Sequence, residues 1–95
     1  MFVESKPALE FEIGHVLFID IVGYSKLLID DQHESLEKLN QIVRNTSTFV
    51  SANAAGKLSR LPTGDGMVLV FASSPGAPVQ CALEVSRALQ SHPEL

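Results

Sequence analysis

The sequence predicts a single α+β domain whose elements follow the order β-α-β-β-α, and three observations carry that prediction. The run HVLFIDIV at residues 15–22, apolar and rich in β-branched residues, reads as a buried strand holding one acid, Asp20. Apolar residues then recur at helical spacing through Leu36, Leu39, Ile42, Val43, Phe49 and Val50. An Asp65-Gly66 pair between two β-rich segments is a strong short-range hairpin signal.

Taken in order, Gly23 ends the first strand, and residues 25–29 read as a helical turn or two. Asp30 or Asp31 can cap the long helix that follows, and Gly56 supplies its stop. Residues 57–62 and 67–72 are antiparallel strands on either side of Thr63-Gly64-Asp65-Gly66. Beyond a Ser-, Pro- and Gly-rich loop at residues 73–78, Val79, Ala82, Leu83, Val85 and Leu89 mark a second helix. Pro75 or Pro78 fits only its first turn, and Pro93 closes it. The sum is the ferredoxin-like split β-α-β pattern without its last strand.

Composition bounds the function classes. The chain has 95 residues, of which 45% are hydrophobic and 19% charged, which excludes global disorder. A chain of this size buries roughly 60 to 70% of its unfolded surface, enough for a single two-layer core. Lys and Arg number 7 against 11 Asp and Glu, giving a net charge of −4 with no basic cluster. Neither duplex nucleic acid nor an anionic membrane is an expected partner. The longest apolar run, residues 67–72, falls far short of the roughly 20 residues a membrane helix needs, and MFVESKPALEFE at the start is acidic where a leader would be basic. A cytoplasmic location is expected. The single cysteine, Cys81, reads as a small buried hydrophobe, and the spacing of His15, His33 and His92 shares no metal-ligand pattern.

The predicted topology carries a chemical consequence. Crossovers between parallel strands are right-handed and hairpin partners lie adjacent, so the third strand inserts antiparallel between the first and second. The carboxyl end of the first strand and the hairpin then share one edge of the sheet, and Asp20 and Asp65 converge. Two close carboxylates repel unless one takes a proton or a divalent cation lies between them. Beside Asp20, the turn Ile21-Val22-Gly23-Tyr24-Ser25 allows close backbone approach at Gly23 and opens a helix whose free amides suit phosphate. A metal triphosphate fits both features. The alternatives on residue chemistry alone are an Asp65 chosen for positive φ in the turn and an Asp20 that caps the next helix.

At these residues the chain resembles the catalytic domain of class III nucleotidyl cyclases, the adenylate and guanylate cyclase family. Leu17-Phe18-Ile19-Asp20-Ile21-Val22-Gly23-Tyr24-Ser25 resembles the family's first metal motif, residues 36–56 its following helix, and Thr63-Gly64-Asp65-Gly66-Met67 its second metal motif at the hairpin. The resemblance covers residues 1–95 as the amino-terminal half of such a domain, with a core at about residues 12–92. It implies two Mg²⁺ or Mn²⁺ ions held by Asp20, Asp65 and the Ile21 carbonyl, with both aspartates catalytic. It also implies a triphosphate cradled by the backbone from Ile21 through Val22, Gly23, Tyr24 and Ser25, and hairpin geometry set by Gly64 and Gly66. ATP or GTP would be the substrate, a 3′,5′-cyclic nucleotide and pyrophosphate the products, and a homodimer or domain pairing the working assembly.

Two departures weigh against simple transfer. The family's purine-reading position, typically Lys in adenylate and Glu in guanylate cyclases, falls at Leu61, which can face a base but cannot hydrogen-bond its edge. The family's later half, with its further strands and its ribose- and phosphate-directed Asn and Arg, has no counterpart here. The apolar edge of the first strand is left open and prone to pairing with another chain. A noncatalytic cyclase-homology module that binds nucleotide or a partner domain is therefore the alternative. Lys57 and Arg60 read as surface charge on an edge strand.

Overall fold

A computed structural model describes residues 13–95 as a mixed α+β fold, a three-stranded antiparallel sheet with three α-helices on one side of it. The amino-terminal residues 1–12, including the acidic start and the expected beginning of the core, lie outside the described residues. Strands β1 (His15–Asp20), β2 (Leu58–Pro62) and β3 (Gly66–Phe71) are arranged in the order β1-β3-β2, with both pairings antiparallel. The insertion of β3 between the strands flanking the crossover is the order expected from the hairpin. Helix α1 spans Ile29–Arg44, α2 spans Ser47–Ala54 and α3 spans Gly76–Leu89.

β3 is buried on its helix-facing side at Met67, Leu69 and Phe71, because it is the central strand with helices above it. Around it pack Leu39, Ile42 and Val43 of α1, Phe49 and Ala52 of α2, and Ala77, Cys81 and Val85 of α3. Helix α3 lies on β1 and β3, while α2 lies on β2. β1 departs from the continuous burial expected of HVLFIDIV. Its residues alternate, with Leu17 and Ile19 turned to the core and Val16, Phe18 and Asp20 turned outward, because among the described residues the helices cover one face only. Phe18 is 76% exposed.

The long helix expected across residues 36–56 is two helices. Thr46 takes an extended backbone between them, and its hydroxyl accepts from the Phe49 amide at 3.3 Å while donating to the Val43 carbonyl at 2.8 Å. It is the buried polar residue among those described, and it ends one helix and caps the next. Phe49 therefore reaches the core from α2, whereas Val50 points to solvent. Glu84 of α3 adds a second fastening, accepting from the Thr48 amide at 3.0 Å and from the Ser47 and Thr48 hydroxyls at 2.9 and 3.1 Å. The Thr48 amide bond, with the Gln80, Ser47 and Thr48 side-chain donors, holds the Glu84 carboxyl down at about 2.

Three further expectations are corrected. Neither Asp30 nor Asp31 caps α1; both lie in its first turn, where their charge suits the helix dipole, and the capping position is Leu28, with no side-chain cap. In α3 the buried stripe runs through Ala77, Pro78, Cys81 and Val85, leaving Val79 and Leu83 exposed. Pro78 sits in the first turn as expected, and the helix ends at Leu89, short of Pro93. Cys81 is fully buried, and that burial pushes its thiol up from the ordinary range.

Candidate functional site

The hairpin joining β2 and β3 turns through Thr63, Gly64 and Asp65. Its left-handed residue is Gly64, at φ 95°, and no non-glycine residue among those described has positive φ. Asp65 is thus not placed by a need for positive φ, although it remains a residue of the turn. The Asp65 carbonyl accepts the Ile21 amide at 2.9 Å, so the hairpin tip is fastened to the residue that follows β1. Asp20 lies opposite Gly66 in the β1–β3 register. Residues far apart in sequence are therefore brought to one end of the sheet by backbone bonding.

Gly66 makes this approach possible. A Cβ at that position would collide with the Ile19 carbonyl oxygen and would come within 2.6 Å of the Asp20 Cα. Only a glycine lets the backbone of β1 lie this close, and the strand end carrying Asp20 depends on it. Asp20 is exposed and Asp65 partly so. The Asp65 carboxylate receives one long hydrogen bond, from the Thr63 hydroxyl at 3.5 Å. No Lys, Arg or His forms an ion pair with either acid among the described residues.

The turn after β1 differs from expectation in one respect. Gly23 is left-handed at φ 75°, as close backbone turning requires, but Tyr24–Lys26 form one 3₁₀ turn and no α-helix begins there. Leu27 and Leu28 are extended before α1 starts at Ile29. A turn this short has no macrodipole of consequence, so the turn's contribution to anion binding reduces to individual amides. The Tyr24 amide is engaged with the Ile21 carbonyl at 3.3 Å, whereas those of Val22, Gly23 and Ser25 donate to no backbone carbonyl among the described residues. Val22 and Ser25 are exposed. Gln32 of α1 reaches back to the Tyr24 carbonyl at 2.9 Å and steadies the turn.

Asp20 shares the open face of the sheet with Phe18 and Val16 of β1, Val68 and Val70 of β3, and Leu61 of β2. Phe18, Val68 and Leu61 form one row across the strands. Leu61 is 56% exposed and lies on the same face as Asp20, with Val68 between it and Phe18. The outer edge of β1 has no partner strand among the described residues. A small apolar cavity of about 180 Å³ reaches Asp20 from the other side of the strand end, lined by Ile19, Ile21, Val22, Leu39, Leu89 and Leu95.

The fit to divalent cations is partial. Two carboxylates without a protein cation among the described residues, at the same sheet end as the Ile21 carbonyl, are oxygen donors of the kind hard cations prefer. No group of three or more His, Cys, Asp and Glu side chains capable of holding a metal occurs among the described residues. A bound ion would have to complete its shell with water or substrate oxygens.

Sequence reasoning missed two features. Arg60 faces the helices and is partly buried, with its guanidinium donating to Asn40 Oδ1 at 3.0 Å. Glu84 braces α2 from α3, a contact for which the sequence holds no local signal. No helix among the described residues is long and apolar enough to cross a membrane. Comparison with known proteins finds no matching family, no matching curated protein and no matching solved structure.

Proposed function

We propose that this chain is the metal- and triphosphate-binding half of a class III nucleotidyl cyclase domain of ferredoxin-like topology. The carrying observation is the meeting of Asp20 and Asp65 at one sheet end, fixed by the Ile21 amide to Asp65 carbonyl bond and permitted by Gly66. Asp20, Asp65 and the Ile21 carbonyl would hold Mg²⁺ or Mn²⁺. Bound there, such ions supply charge neutralisation for the triphosphate and acidify the attacking ribose hydroxyl.

The residues of this chain have the following roles. The aspartates would hold the cations. The amides of Val22, Gly23 and Ser25 bind phosphate oxygens, and the Ser25 hydroxyl adds a donor. Gly23 allows the turn to approach the phosphates closely, and Tyr24, held through Gln32, orients it. Phe18 and Leu61 offer the purine an apolar surface with no hydrogen-bond reading, so ATP and GTP are bound with similar affinity. The open face and the outer edge of β1 are covered by a second copy or a paired domain, which brings the remaining groups for turnover.

A second reading has its own observation. Leu61 stands exposed where a purine-reading polar residue is typical of the family, and this favours a noncatalytic cyclase-homology module that binds nucleotide or a partner domain. Calorimetric titration with ATP and GTP, each with Mn²⁺, tests both, using Asp20→Asn and Asp65→Asn. Metal-dependent binding lost in both variants supports the half-site. A folded chain that binds neither nucleotide overturns it. Cyclic nucleotide formation by the paired assembly separates the enzyme from the noncatalytic module.

A further inference from the structure

We propose that a second site, on the helix-covered side of the sheet, binds a phosphate-type oxyanion through Arg44 and Arg60. An open cavity of about 320 Å³ lies where the end of α1, helix α2 and strand β2 meet, and it is lined by Arg44, Phe49, Asn53, Leu58 and Arg60. No carboxylate among the described residues lines it, in a chain whose acids outnumber its bases 11 to 7. Neither arginine forms an ion pair among the described residues.

Arg60 is the informative residue. It lies opposite Leu69 and on the same side of β2 as Leu58, so it occupies a position on the face that the core uses for apolar side chains. A partly buried guanidinium is costly unless its donors are engaged. Among the described residues its protein partner is one neutral acceptor, Asn40 Oδ1. Most of its donor fork is left for another acceptor at the cavity. Arg44, in the last turn of α1, brings a second guanidinium to the same space, and the Asn53 amide can add a neutral donor.

Two guanidinium groups and an amide match the double negative charge and the several oxygen acceptors of a tetrahedral phosphate, which both guanidinium groups can share, better than they match a singly charged carboxylate or a halide. The volume admits inorganic phosphate or the phosphoryl end of a small metabolite. The site is separate from the aspartate pair. Asp20 is on the open face at the hairpin end of the sheet, whereas Arg60 points into the helical layer. It therefore requires no divalent metal and does not depend on the cyclase reading.

The test is an NMR titration of the full chain, without metal and at fixed ionic strength, with inorganic phosphate and with adenosine monophosphate. Saturable shifts centred on Arg60, Arg44 and Asn53 are expected. Arg44→Gln and Arg60→Gln should each weaken binding at least fivefold, while Arg87→Gln, with the same change of charge, leaves it unchanged. Arg60→Lys, which keeps the charge without the fork and guards against a folding defect, should give an intermediate loss. Tighter binding of the monophosphate assigns a phosphorylated small molecule, and equal binding assigns the free ion. Shifts that never saturate, or equal losses in Arg60→Gln and Arg87→Gln, would overturn the site. Asp20→Asn should bind phosphate as the parent does, so failure of the nucleotide reading leaves this result distinguishable.

Discussion

The two faces of the same sheet have been built to different rules. Toward the helices, Met67, Leu69 and Phe71 are almost wholly excluded from water and meet side chains from all three helices. Away from the helices, Phe18 and Leu61 stay largely in solvent beside Val16, and Asp20 stands at the hairpin end of the same face. Stability therefore resides on one face and the candidate chemistry on the other. An exposed apolar surface contributes little to folding alone, and it is the surface on which the proposed nucleotide and partner would lie.

Substitutions that respect or violate this division should differ sharply in cost. Phe71→Ala, on the covered face, should destabilise the domain by about 3 to 5 kcal/mol in urea unfolding, because the cavity it leaves is closed on all sides. Gly66→Ala comes next, at about 3 kcal/mol, since the new Cβ forces β1 away from β3. It should also abolish metal-dependent nucleotide binding, because the same approach carries Asp20 to Asp65. Glu84 predicts a pH effect. Its carboxyl, held at about 2 against an ordinary 4.5, stabilises the fold above pH 4.5, and that stability is lost as pH falls toward 2. After solvent screening the loss is about 1 kcal/mol, and Glu84→Gln should remove this part of the acid sensitivity. Phe18→Ser, on the open face, should change stability by about 0.5 kcal/mol or less while reducing self-association in sedimentation velocity runs.

Legibility in the sequence followed the range of the interactions. The hairpin and the strand order were readable because Gly64, Asp65 and Gly66 act locally and a hairpin obliges its strands to be neighbours. From that order alone Asp20 and Asp65 could be brought to one edge. The division of the long helix was not readable from apolar spacing, since Ile42, Val43 and Phe49 keep a helical rhythm across the break. The capping chemistry of Asn45-Thr46-Ser47-Thr48 was the available signal, and the apolar stripe outweighed it. In α3 the eye goes to Val79 and Leu83, whereas the close packing of α3 on β1 and β3 selects the small residues Ala77 and Cys81. Arg60 was misplaced for a related reason. An edge strand reads as exposed until a helix such as α2 is laid over it.

Paramagnetic broadening by Mn²⁺ tests the meeting of Asp20 and Asp65 most directly, because it reports distance from the ion without requiring turnover. Substoichiometric Mn²⁺ should selectively broaden the amides of residues 19–25 and 64–66, leave those at the start of α3 (residues 76–79) sharp, and lose this effect in both Asp20→Asn and Asp65→Asn. Broadening confined to one of the two segments, or spread over the acidic surface and unchanged in the variants, would contradict a shared cation site at this end of the sheet.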